Sequence, residues 1–226
     1  MNAIADKPWK KVDVSTAQEV LARYEQDESL QAALDTKPKL CGLTPAKFLQ
    51  GLLNQKDYLN AVRFLAHALP AREAVWWACQ SARVALQHQS NQRTTLAYQT
   101  AVAWVQSPTE TNRRAAESSI KSCGLEHAAG WAAQAAFWSN GSITASTEPA
   151  VAVPPYLYAH AVYGAVALAA AVDDPKQADE LYLQLIDQGI NIAQGGKGKS
   201  PDNIDPQAQQ TPLEPAESPQ PLAMEG

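Results

Sequence analysis

From Ser15 to Ala193 the apolar residues return every three or four positions, and no stretch longer than about five residues alternates with the period of two that marks a strand. A chain with this pattern buries its apolar side chains by packing amphipathic helices face to face. The expected fold is therefore all-α: a compact domain of about eight or nine helices over residues 15–194. A flexible N-terminus (1–14) precedes it, and a disordered, acidic Gly/Pro-rich tail (195–226) follows.

Local punctuation supplies the helix boundaries. Ser15, with Gln18 three residues on, reads as a capping box for a first helix that ends before Lys37-Pro38. Thr44 caps the next, with Pro45 at the first helical position, where a missing N–H costs nothing. A third helix, about Asp57 to Leu69, is expected to bury Leu59, Val62, Leu65, Ala66 and Leu69, and Pro70 ends it and opens the next. Ser107 to Glu110 reads as a second capping box, and its helix should stop at Gly124. A shorter helix carrying Trp131 and Phe137 ends in the turn Ser139-Asn140-Gly141, followed by a linker or surface loop. The last helix should bury Ala178, Leu181, Tyr182, Leu185, Ile186 and Gly189.

Composition narrows the function. With 226 residues, 46% of them hydrophobic, the chain can bury a sizeable core. A formal net charge of −5 and the lack of a basic stripe argue against nucleic-acid binding. Three cysteines spread along the chain do not make a secreted disulfide framework, and the charged N-terminus does not read as a signal peptide, so the expected location is cytoplasmic. The apolar run Leu157 to Val172 is shorter than the roughly 20 residues of a bilayer span and rich in weakly hydrophobic alanine.

One motif suggests a nucleotide. Ala193 to Ser200, AQGGKGKS, has the spacing of a phosphate-binding loop ending in Gly198-Lys199-Ser200. Such a loop works only between a strand and a helix, whose free N–H groups and dipole converge on the phosphate. Here it follows a helix and leads into a segment with six prolines, so it reads as a helix C-cap and hinge, with no nucleotide expected.

Two stripes remain as candidate sites. On the helix Pro70 to Gln89, apolar residues cover well over half the circumference, leaving a polar strip of Arg72, Gln80, Arg83 and Gln87 with Trp76 in its middle. Trp76, Arg72, Arg83 and Gln80 form either ordinary packing under a neighbouring helix or a protein-binding hot spot, for which Trp and Arg are the favoured residue types. On the alanine-rich helix, Tyr156, His160 and Tyr163 share one face. They could exchange protons, but no carboxylate or nucleophile is paired with them, and buried Tyr and His need polar partners anyway. Cys123 and His127 flank a helix break without a second zinc-spaced pair, and Cys79 sits beside a buried arc, so neither a metal, a catalytic thiol nor a cofactor is expected.

The segments Arg72 to Cys79, Trp131 to Ser142 and Val153 to Ala171 together resemble a family of bacterial helical proteins classed as a domain of unknown function, over roughly Thr44 to Ala193. The resemblance implies a soluble accessory or adaptor protein in a bacterial cytoplasm, associated with gene clusters for type VI secretion machinery, and brings no catalytic residue. The expectation is a non-catalytic interaction protein with a protein partner. The alternative is an enzyme whose site is built around Tyr156, His160 and Tyr163.

Overall fold

The computed structural model describes residues 7–145, 147–171 and 177–198, and they are all-α, as the periodicity predicts. Ten α-helices occur among the described residues: α1 (Ala17–Leu21), α2 (Glu28–Thr36), α3 (Pro45–Asn54), α4 (Tyr58–Ala68), α5 (Ala71–His88), α6 (Gln92–Gln106), α7 (Glu110–Cys123), α8 (Ala128–Phe137), α9 (Leu157–Ala170) and α10 (Ala178–Ala193). A 3-10 helix, Pro38–Gly42, joins α2 to α3.

The count exceeds the expected eight or nine partly because the first predicted helix is two. Gln26 Nε2 donates to the carbonyls of Leu21 and Tyr24, both at 2.6 Å, which closes α1. Asp27 then opens α2 by accepting from the Leu30 N–H at 2.9 Å. The N-terminal box sits one residue later than expected. Glu19, not Gln18, reaches back to Thr16, accepting from its N–H at 3.0 Å and its hydroxyl at 2.8 Å. At α7 the cap is Thr109, whose hydroxyl accepts from the Asn112 N–H at 3.3 Å, so Glu110 is left for another role. On α4, Leu59 is 47% exposed and Asn60 is buried in its place. The N-cap Asp57 holds it there, accepting from both the Asn60 N–H and Nδ2.

Helix α5 is the axis of the domain, packed against α6, α8, α9 and α10. Its Ala74, Val75, Trp77, Ala78 and Ala82 are fully buried, as the helical wheel predicts. The alanine-rich α8 and α9 are buried on most of their surface and pack on each other and on α5. Trp77 lies at the centre: its indole N–H donates to the Leu185 carbonyl at 2.7 Å, tying α5 to α10. Gly189 faces the same ring. A Cβ there would lie 2.7 Å from Trp77 Cε2 and 2.8 Å from Leu65 Cδ2. Gly189→Ala is therefore expected to lower the urea midpoint by an overpacking penalty of about 1–3 kcal/mol, although alanine is the better helix former.

Both ends of the described chain lie against this body. The N-terminus was expected to be flexible through residue 14, yet Trp9 is buried, the Lys11 N–H donates to the Ala193 carbonyl at 2.9 Å, and Lys11 Nζ pairs with Glu73 at 3.1 Å. The physical reason is that a tryptophan in a short arm has enough apolar area to hold it against a core. At the other end the expected domain boundary at residue 194 is passed, since Gly198 is buried against Ile192 and Gln80. Lys199, Ser200 and the rest of the expected tail lie outside the described residues.

The segment between α8 and α9 is anchored by a residue with no sequence signal. Arg113 is fully buried: its guanidinium makes a two-pronged pair with Glu110 at 2.6 and 2.7 Å, and donates to the Phe137 and Ser142 carbonyls at 2.8 and 3.1 Å. Gly141, at φ +74°, passes close over the guanidinium, and Ser142 and Ala152 form an isolated antiparallel bridge.

Candidate functional site

The polar strip of α5 is where the two ends of the described chain meet. Arg72, Trp76 and Gln80 are one turn apart on one face. Arg72 is exposed, and its Nε donates to the Val105 carbonyl at 2.7 Å, across to the end of α6. Trp76 is half-buried, and its indole N–H donates to the Lys197 carbonyl at 2.8 Å. Gln80, expected to be polar surface, is only 5% exposed, because the loop after α10 folds back over it. Its Oε1 accepts from Arg83 at 3.0 Å.

That loop is the one that resembles a phosphate cradle, and its geometry explains what the glycines do. Gly195 N–H donates to Ile192 O at 2.8 Å, Gly196 N–H to Asn191 O at 2.8 Å and Gly198 N–H to Asn191 Oδ1 at 2.9 Å. Gly195 and Gly198 have φ of +94° and +75°, the conformation that turns the chain at a helix end. The Gly195, Gly196 and Gly198 amides are thus engaged by the C-terminal end of α10, where the dipole is unfavourable for an anion.

Between the loop, Trp76 and the end of α6 lies an open groove of about 360 Å3, with Ile192 and Val105 beside the indole and Lys11, Glu73 and Gln106 at its edges.

The α9 stripe is engaged ring by ring by Arg23, just after α1, and by α4. The Arg23 guanidinium lies 4.7 Å from the Tyr156 ring centroid and that of Arg63 5.0 Å from Tyr163. His160 meets His67 edge to face at 4.9 Å. Tyr156 is the N-cap of α9 and adopts a left-handed backbone, φ 61°, a strained state for a residue with a side chain. The structure therefore sets the three stripe residues against cations and a second histidine, with Tyr156 at the N-cap just outside the helix. Sequence reasoning missed Tyr158, whose buried hydroxyl donates to the Leu69 carbonyl at 2.9 Å. It also missed Arg23 and Arg63, whose relevance depends on which helices meet.

His67 is the unusual group in this seam. It is fully buried, stacks on Tyr24 at 4.3 Å, and its Nδ1 lies 2.8 Å from the Arg63 carbonyl, which fixes the proton on Nδ1. Nε2 is then an acceptor, and it has no hydrogen-bond partner among the described residues. Burial holds the imidazole down from its ordinary 6.5 to about 4, with His160, Arg63 and Arg23 adding to the effect. Because the folded value is depressed for a base, the neutral form's stability is fully present above pH 6.5 and is lost as pH falls from there to about 4. That amounts to about 3 kcal/mol. Urea midpoints of wild type and His67→Phe at pH 7, 5.5 and 4 should show the wild type losing stability more steeply on acidification. Parallel loss in both proteins would mean that His67 does not titrate in this window.

Residues 48–193 match a family of unknown function, DUF6931. The chain belongs to this family. No curated protein and no solved structure matches it. The DUF6931 span runs from within α3 to the last residue of α10, so it contains both stripes, Arg63 and His67. Lys11, Arg23 and the Gly195–Lys197 loop fall outside it, so the groove is built partly by DUF6931 helices and partly by the two chain segments flanking them.

Other chemistry has little support in the geometry. Cys79 is fully buried and burial pushes its thiol far up, away from the reactive thiolate. Among the described residues, no group of three or more His, Cys, Asp or Glu side chains could hold a metal ion. Nor, among them, is any helix long and apolar enough to cross a membrane.

Proposed function

We propose that this DUF6931 protein is a non-catalytic interaction module, an accessory or adaptor of the bacterial cytoplasm, that takes a protein partner in the groove at Trp76. The observation that carries the reading is the state of that tryptophan. Its N–H is fixed by the Lys197 carbonyl and its half-buried ring forms part of an open groove with Arg72 alongside. A rigid, partly desolvated indole beside an arginine has the character of a binding hot spot. The engagement of Tyr156, His160 and Tyr163 by Arg23, His67 and Arg63 supports a structural seam over the alternative acid–base site. The finer proposal is that the partner belongs to type VI secretion machinery.

The test is affinity purification at endogenous level with wild-type and Trp76→Ala baits of confirmed folding, partners being identified by mass spectrometry. The reading expects a partner lost selectively with Trp76→Ala, and secretion components among the losses would support the finer proposal. Identical partner lists from the two baits would reject the groove as the site.

A further inference from the structure

The chemistry of the groove edges goes further and, resting on the interaction reading above, specifies the partner. Lys11, Arg72 and Lys197 line the groove, with Lys10 beside Gly195, and Glu73 is the one carboxylate in its lining among the described residues. Glu73 is committed to Lys11 at 3.1 Å. Arg72 donates to two main-chain carbonyls of α6 and has no carboxylate partner among the described residues, and Lys197 is exposed and likewise without one. This is a local excess of positive charge on a chain whose net charge is −5. Concentrated charge of the opposite sign to the whole protein selects acidic partners.

The groove is also suited to backbone. Its indole N–H already holds one main-chain carbonyl, that of Lys197, from a non-helical segment lying along α5. Gly195 and Gly196 also line the groove and present no side chains. From Arg72 to Trp76 is one helical turn, about 6 Å, which matches roughly two residues of extended chain at about 3.3 Å each. Half-buried Val105 lines the groove together with the ring and offers apolar contact for one side chain or a proline.

We infer that the groove binds an extended, acidic segment of a partner protein, with an apolar or proline residue on the Trp76 ring and flanking carboxylates on Lys11, Arg72 and Lys197. The partner is recognised by short-range contact with the indole and by long-range attraction to the lysines. Association should therefore weaken with added salt.

Full-length protein can be titrated against a labelled decapeptide alternating glutamate and proline around a central leucine, and against its lysine-for-glutamate twin, by fluorescence anisotropy. The acidic peptide should bind saturably, about ten-fold more tightly than the basic twin at low salt, with the difference shrinking as salt rises. Lys197→Glu, which alters an exposed side chain and keeps the carbonyl that Trp76 uses, should weaken it by about ten-fold with an unchanged melting temperature. Equal affinity for the twins, no saturation, or indifference to Lys197→Glu overturns the inference. If partner capture depends on Trp76 while the acidic peptide fails, the interaction reading stands and the acidic class falls. A photo-crosslinker at Gln106 that captures only residues 199–226 of the same chain would assign the groove to the protein's own tail and overturn it as well.

Discussion

Removing the carboxylate of Glu110, a residue at the surface, should destabilise the domain by about 3–5 kcal/mol, because it strips the charge partner from a buried guanidinium. Arg113 has a side chain only 1% exposed, whereas that of Glu110 is 60% exposed. The cost arises at the buried end of the pair. In Glu110→Ala the Arg113 charge keeps the Phe137 and Ser142 carbonyls and the Phe137 ring face as partners but no counter-charge. Arg113→Met fills the space with an apolar chain of similar length and leaves those two carbonyls unpaired, which should cost about 2–4 kcal/mol. The surface substitution is thus expected to be at least as damaging as the core one. The hydrogen bonds from Arg113, followed by those from Arg114, hold the Glu110 carboxyl down from its ordinary 4.5 to about 2. For an acid with a depressed folded value, the stabilisation is complete above pH 4.5 and fades as pH falls toward 2. The gap between wild type and Glu110→Ala should therefore be constant at neutral pH and narrow only in that acid range. Denaturant melts of the three proteins at pH 7 and pH 3 check both statements, and a neutral-pH loss below about 1 kcal/mol for Glu110→Ala would place the pair among ordinary surface ion pairs.

How far the sequence discloses this molecule depends on whether a feature is set locally. Thr44 with Pro45, Asp57 before Tyr58, and Gly124 after Cys123 end or begin helices through contacts within a few residues, and they sit where the sequence places them. The break between α1 and α2 was missed because Gln26 and Asp27 look like two more polar residues on a helix surface until their side chains cap its ends. The apolar arc of α5 was legible from its own period. The burial of Gln80 was not, since it depends on a loop more than a hundred positions away folding back on the strip. In the same way nothing in the run Arg113-Arg114 says which arginine turns inward. Only the meeting of α7 with the end of α8 and the Gly141 turn decides it. The candidate stripes were visible as faces, but their meaning came from what distant parts of the chain bring to them: Arg23, Arg63 and His67 for α9, and Lys197 and Val105 for α5.

The adjacent tryptophans of α5 test that division between local and long-range information most sharply. They differ by 100° around the helix, which places Trp77 in the apolar arc and Trp76 on the strip. Trp77 is fully buried, in contact with α10 through the Leu185 carbonyl and the Gly189 surface. Trp77→Ala leaves a cavity that the surrounding helices cannot close and should cost about 3–5 kcal/mol. Against an ordinary domain stability of about 5–15 kcal/mol, that leaves a marginal or unfolded protein at physiological temperature. Trp76→Ala removes one hydrogen bond to Lys197 and a half-buried ring, and should cost about 1–2 kcal/mol. The smaller value follows from open space beside the ring, where solvent can occupy part of what the indole vacates. Urea melts of the two variants at neutral pH should therefore differ by at least about 1 kcal/mol, with Trp77→Ala the weaker protein. Equal losses would mean that Trp76 is held as firmly by the Gly195–Gly198 loop as Trp77 is by the core. The groove would then be a structural joint with no surface reserved for a partner.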